Sequence, residues 1–171
     1  SCTEPLNVDS IMQVVNALAP GNHAAKASLD IALHDLYGKL EGKPLWQIWG
    51  IDPNATPCTS YTIGYDASDS IVLVKVREAD WAKILKVKLG RGEAEDKRMI
   101  TLIRSLSDKP IYVDANQGWP TKEHALMMCQ WLAEQGVVMI EQPMPKQMDE
   151  EHAWLCEQVE LPILADEACQ T

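Results

Sequence analysis

The chain has 171 residues, 46% of them hydrophobic and 23% charged, an ordinary globular composition that excludes a disordered polypeptide. Its formal net charge of -10 argues against nucleic acid or an anionic membrane surface as partner, because either would repel it; a small ligand or a cation fits better. The five cysteines, Cys2, Cys58, Cys129, Cys156 and Cys169, are odd in number and form no Cys-x-x-Cys pair, which suggests neither a disulfide framework nor a thiolate zinc site and points to a reducing cytoplasm. No apolar run approaches the roughly 18 residues of a membrane span, and the opening stretch lacks the regions of a secretory signal. The chain begins without methionine and stops at Gln170-Thr171 just past an apolar strand, so both ends read as cuts.

From Asn22 to Gly50 the residues Ala25, Leu29, Ala32, Leu33, Leu36 and Leu40 recur at three- and four-residue intervals, which predicts a helix with one buried face. Gly42 and Pro44 break it, a short helical turn follows over Leu45 to Trp49, and Asp52 to Pro57 reads as a connector. A domain boundary is therefore placed between 1–57 and 58–171. Beyond it, short apolar runs alternate with segments of helical period. Strands are predicted at 59–63, 84–89, 111–113, 137–140 and 163–165, and helices at 68–80, 93–107, 121–135 and 149–159. Alternation of this kind implies an α/β fold with parallel strands and right-handed crossovers. Five units do not by themselves exclude a doubly wound sheet.

A spacing turns this list into a candidate site. At or just past the strand ends stand Thr62, Lys88, Asp114, Glu141 and Asp166, separated by 26, 26, 27 and 25 residues, one strand-helix unit each time. In a parallel barrel such positions gather on one rim, where active sites are built. Asp114, Glu141 and Asp166 together would be costly to bury without a counter-charge, and an all-oxygen set with no nearby His or Cys favours a hard cation such as Mg²⁺. Each of them alone could simply start a loop or cap a helix.

In Ile84-Leu85-Lys86-Val87-Lys88-Leu89, strand alternation places Lys86 and Lys88 on one face and the apolar residues on the other. Internal placement directs both ammonium groups into the lumen; an edge strand would merely solvate them. Like charge and partial burial are expected to lower a lysine's pKa, which makes Lys88 the candidate base and Lys86 its tuning partner. A lysine base beside a metal that chelates a carboxylate can remove the adjacent α-proton through an enediolate. His23, His34, His124 and His152 stand singly and read as structural. Trp46, Trp49, Trp81, Trp131 and Trp154 read as packing outside the barrel, Trp119 as shaping the rim, and the charged run Arg91 to Arg98 as a solvated helix start.

The ordered set Lys86-Val87-Lys88, Asp114-Ala115-Asn116-Gln117-Gly118-Trp119, Glu141-Gln142-Pro143 and Ala165-Asp166-Glu167 resembles the muconate lactonizing enzyme subgroup of the enolase superfamily. Helix Ala27 to Lys39, followed by Gly42-Lys43-Pro44-Leu45, resembles the segment joining that family's capping domain to its barrel, so the likeness spans about residues 24–171. It implies a partial (β/α)8 TIM-like barrel of about five strand-helix units after a helical remnant of the capping domain. Ser60-Tyr61-Thr62-Ile63-Gly64 is similar to the dipeptide epimerases, which implies Mg²⁺-dependent removal and return of the α-proton of a dipeptide's C-terminal residue, as in L-Ala-D/L-Glu epimerisation. Thr62, Asn116 and Glu167 then become candidates for substrate binding or for orienting metal ligands. A cycloisomerase or o-succinylbenzoate synthase of the same subgroup, or a non-catalytic fragment serving as a metal-binding or assembly module, stays open. The family's second lysine, on a sixth strand, has no counterpart here. A whole barrel takes about 250 residues, so the 171 alone are expected to be little active and, with raw sheet edges, to associate into homo-oligomers.

Overall fold

The computed structural model describes residues 6–169; Cys2 and the Gln170-Thr171 end lie outside them. Backbone packing separates the chain after Pro57 into two compact units.

The first unit is helical. Helix α1 (Val8–Leu18) starts at Asn7, whose Oδ1 accepts the Ser10 N–H at 2.9 Å. Helix α2 (His23–Glu41) ends where Gly42 turns left-handed (φ 63°) and directs its N–H back to the carbonyls of Gly38 and Lys39. Pro44 then opens the single turn of α3 (Leu45–Ile48), and a 3-10 turn follows at Pro53–Ala55, capped by the Asp52 carboxylate. The apolar stripe of α2 differs from expectation. Leu29, Leu36 and Leu40 are exposed, Leu40 at 67%, and among the described residues Gly38 alone of α2 is buried. The period of the helix is as expected, but two neighbouring helices do not form a layer wide enough to cover it.

The second unit holds five strands, β1 (Ser60–Ile63), β2 (Ile84–Lys88), β3 (Ile111–Asp114), β4 (Val137–Glu141) and β5 (Ile163–Leu164). All four pairings are parallel and the spatial order is the chain order. A doubly wound sheet reverses direction at a switch point; this one advances steadily, as a barrel does. Between the strands run α4 (Asp69–Glu78), α5 (Glu93–Arg104), α6 (Lys122–Glu134) and α7 (Asp149–Gln158). The chain thus forms a partial (β/α)8 barrel.

Its core lies between sheet and helices. Leu85, Val87, Ile111, Val113 and Ile140 on the strands pack with Met99, Ile100 and Ile103 of α5 and with Met128 and Leu132 of α6. On β2 the alternation is fully expressed: Leu85 and Val87 are buried, while Ile84, Lys86 and Lys88 are only partly so. One irregularity interrupts the ladder. Ile111 is level with Val137 but Tyr112 with Met139, so Val138 is an extra residue in β4 and stands exposed. This bulge accounts for the interval of 27 rather than 26 between Asp114 and Glu141.

The tryptophans divide. Trp131 and Trp154 pack against the core, with Lys97 and Lys122 over their rings, but Trp46, Trp49 and Trp81 are exposed, Trp81 at 65%. Trp81 lies in the turn after α4, edge-on to the Tyr61 ring at 5.4 Å, rather than on a helix. Among the described residues no helix is long and apolar enough to cross a membrane.

Candidate active site

The pairing register brings Lys88, Asp114 and Glu141 level with one another across β2, β3 and β4. Lys86 Nζ lies 2.5 Å from Glu141 Oε2 and 3.0 Å from Asp114 Oδ2, and Lys88 Nζ lies 2.5 Å from the same Asp114 oxygen. Asp114 and Glu141 are buried, whereas the side chains of Lys86 and Lys88 keep 17% and 38% of their surface exposed. Below this row, Tyr112 Oη and Ser60 Oγ are 2.8 Å apart, and the Tyr112 ring lies 5.4 Å from Lys86 Nζ.

Other predicted residues fall nearby. Thr62 is level with Lys86 rather than Lys88, on an exposed part of β1. Asn116 touches Asp114 through its backbone: its N–H donates to Asp114 Oδ1 at 3.0 Å from a left-handed conformation (φ 45°), and its side chain is exposed. Asp166 does not join the row. Leu164 is level with Glu141, so Asp166 follows two residues past it and is exposed. Among the described residues no three His, Cys, Asp or Glu side chains stand close enough to hold a metal. Glu167 has a buried Oε2 without a hydrogen-bond partner.

Charge explains the arrangement. Burial alone would raise the Asp114 carboxyl, but hydrogen bonds from Lys88 and Lys86 and from the Asn116 amide hold it below the ordinary carboxylate value. For Lys86 the expected lowering does not occur. Partial burial works against the ammonium, yet hydrogen bonds to Glu141 and Asp114 outweigh it and raise the lysine above its ordinary value. The dominant charged neighbours of Lys86 are thus the carboxylates across the sheet rather than Lys88 on its own strand.

The donor set suits a hard divalent cation on two counts. A buried carboxylate pair already converges on one positive charge, the Lys86 ammonium, and the orphaned Glu167 oxygen marks an unmet demand for a cation or donor beside β5.

Two buried polar side chains behind the row, Asp96 and Gln142, were not singled out from sequence. Asp96, inside the run read as solvated, is 1% exposed; its carboxylate accepts the N–H groups of Gly90 and Arg91, both at 3.1 Å, and the Trp119 indole N–H at 3.0 Å. It ties the loop after β2 to the loop after β3. Trp119 is therefore buried beneath the rim rather than lining it. The loops cross at Gly90 and Gly118, where an added Cβ on Gly118 would stand 2.3 Å from the Gly90 Cα. Gln142, buried with φ 38°, links β4 to the turn after β5.

Residues 72–171 match the enolase C-terminal domain-like family, and residues 2–50 match the mandelate racemase / muconate lactonizing enzyme N-terminal domain. An L-Ala-D/L-Glu epimerase from Bacteroides thetaiotaomicron is 51% identical over 169 residues, covering 98% of this chain and 43% of that protein. The crystal structure of a dipeptide epimerase from Enterococcus faecalis superposes with a TM-score of 0.86 at 32% identity, covering 98% of this chain and 49% of that one. A dipeptide epimerase from Cytophaga hutchinsonii, complexed with Mg and the dipeptide D-Ala-L-Val, superposes with a TM-score of 0.84 at 27% identity, covering 98% and 46%. The chain spans about half the length of these relatives. With both domain families matched in order and the strand-end lysines and carboxylates in one row, the chain belongs to the mandelate racemase / muconate lactonizing enzyme family of the enolase superfamily.

Proposed function

We propose that the chain is part of a Mg²⁺-dependent dipeptide epimerase, with Lys88 as the base that takes the α-proton of a dipeptide's C-terminal residue. The observation that carries this reading is the row itself: two lysines on the lumen face of β2, both within 3.0 Å of a buried carboxylate on the next strand. The 51% identity to a named L-Ala-D/L-Glu epimerase supports the substrate class. Residues 1–57 then serve as the C-terminal part of a capping domain and 58–171 as the first part of the catalytic barrel.

In this reading Asp114, Glu141 and Asp166 hold the cation. Asp114 and Glu141 both pair with Lys86, and Asp166 lies in the turn after the adjacent strand β5. A divalent cation held by these carboxylates would supply positive charge that favours build-up of negative charge on a substrate carboxylate. Lys86 keeps its ammonium on Glu141 and Asp114 and fixes their orientation. Lys88, the more exposed of the two amines, reaches toward the open lumen and exchanges the proton. The Asn116 amide steadies Asp114, Glu167 adds negative charge beside Asp166, and Thr62 lines the lumen next to Lys86. Inversion also requires an acid on the opposite face of the α-carbon, contributed from a strand beyond β5.

Incubating the full-length polypeptide with L-Ala-L-Glu in heavy water tests the proposal. Mg²⁺-dependent deuterium entry at the C-terminal α-carbon, abolished by Lys88→Ala, is expected. No exchange with any of a panel of dipeptides would remove the substrate assignment, and exchange that persists in Lys88→Ala would remove the base.

A further inference from the structure

The Glu141-Gln142-Pro143 motif contains a side chain to which the proposed chemistry assigns no task. Gln142 is fully buried and holds a left-handed backbone (φ 38°), a conformation uncommon outside glycine and one that persists only where its surroundings enforce it. Every hydrogen-bonding position of its amide is used. Oε1 accepts two backbone N–H groups, from Asp166 at 2.9 Å and Ala168 at 3.1 Å. Nε2 donates to the Met144 carbonyl at 3.1 Å and stands 3.3 Å from His152 Nε2. His152 Nδ1 lies 2.8 Å from the Met148 carbonyl, which fixes Nδ1 as the protonated nitrogen and leaves Nε2 free to accept from the amide.

These contacts permit a single orientation. Turning the amide over would set its NH₂ against two N–H donors and its oxygen against a carbonyl. His152, on α7, completes the set by accepting the second Nε2 hydrogen.

We propose that Gln142 is a positioning residue: it carries no chemistry, but by clamping the Asp166 and Ala168 amides it sets where Asp166 stands relative to Glu141, its own chain neighbour. Strand β5 is only two residues long, and the β4 to β5 ladder ends at Glu141 and Leu164. Past that point backbone pairing no longer fixes the turn that bears Asp166. Through one side chain, the separation of two candidate cation ligands from adjacent strands is held constant. The inference rests on the metal reading above for Asp166.

Three forms of the full-length polypeptide test it: wild type, Gln142→Met, which keeps the volume and removes the acceptor, and Gln142→Glu, which keeps the acceptor and removes the NH₂. Amide hydrogen exchange without Mg²⁺ reads the clamp, and calorimetric titration with Mg²⁺ reads its consequence. Gln142→Met is expected to lose protection at Asp166 and Ala168 and to bind Mg²⁺ about 10- to 100-fold more weakly, the usual cost of losing a partner behind a ligand. Gln142→Glu, as a protonated acid whose O–H replaces the Nε2 donor on the Met144 carbonyl, is expected to keep the protection at Asp166 and Ala168 and to bind Mg²⁺ more tightly than Gln142→Met. Unchanged Mg²⁺ affinity in Gln142→Met, or equal loss in both variants, would overturn the inference, the second because packing rather than the acceptor would then be responsible. A wild-type protein that takes up no Mg²⁺ would instead bring down the metal reading and this inference with it.

Discussion

Replacing Asp96 by alanine tests the view that a buried carboxylate locks the two loops behind Lys88 and Asp114. The substitution strands three N–H groups. The Trp119 indole is completely buried and the Gly90 amide partly so, whereas Arg91 is exposed and its amide can turn to water. An unsatisfied buried donor costs about 1–3 kcal/mol, so Asp96→Ala is expected to destabilise by about 3–5 kcal/mol once the small cavity is included. Asp96→Asn can keep its oxygen on Gly90 and Trp119 and turn its NH₂ toward Arg91, at a cost of about 1–2 kcal/mol. Trp119→Phe removes one donor and keeps most of the ring. Urea unfolding of the full-length polypeptide reads each variant as a shift in midpoint at constant slope. The double variant Asp96→Ala with Trp119→Phe should be less destabilised than the sum of the singles, by about 1–2 kcal/mol, because the indole donor is lost only once. A loss below about 1 kcal/mol for Asp96→Ala, or strict additivity in the cycle, would refute the lock.

Gly118→Ala forces a Cβ to within 2.3 Å of the Gly90 Cα, with backbone rather than flexible side chain in the way; a loss of about 3 kcal/mol in the same assay is expected, and a neutral result would show that the loops do not cross as tightly as described. The Cys129 thiol is pushed up to about 12, chiefly by burial, so a maleimide at pH 7.5 should label Cys58, Cys156 and Cys169 and spare Cys129 until denaturant is added, as read by peptide mass mapping. The Asp66 carboxyl is held below its ordinary 3.8 chiefly by the Ser68 amide, with Lys75 and Arg98 adding to it against the opposing effect of burial. Its folded value lies below its unfolded one, so its contribution is present above the unfolded pKa and fades as pH falls through the folded value. Asp66→Asn should therefore flatten the acid limb of the stability curve below about pH 4, and an unchanged limb would count against the contact.

The strands after residue 57 were legible because short β-branched runs and turn residues recur at one-unit intervals, and the structure starts and ends each within one residue of the predicted span. The helices proved shorter than predicted by up to three residues at their C-terminal ends, where apolar period continues into a turn. Register was less legible than existence. A constant interval of about 26 suggested that Thr62, Lys88, Asp114, Glu141 and Asp166 were equivalent, yet Thr62 is level with Lys86, and Asp166 lies past the end of the ladder. Interval counting cannot locate a bulge or decide how far a strand runs before it turns. Asp96 was hidden for another reason. Charge in a helix's first turn ordinarily faces water, and only the crossing of two loops from different strands makes a dry, donor-rich cavity there. The same holds for Gln142, whose four partners come from β4's own continuation, the turn after β5 and α7. Lys86 shows that a titration argument built from one strand misleads when the strongest charges belong to the next two.

The surplus residue in β4 has an effect on evolvability. Val138 takes up an odd count at the start of the strand, three residues before Glu141, so a shortened or lengthened approach from α6 can be accommodated there without altering which side chains look into the lumen. Without the irregularity, and with Val137 still level with Ile111, Ile140 rather than Glu141 would stand level with Asp114, putting an isoleucine beside Lys86 and turning the carboxylate to the other face. The joint tolerates length variation at the floor of the sheet while the upper rim keeps its phase.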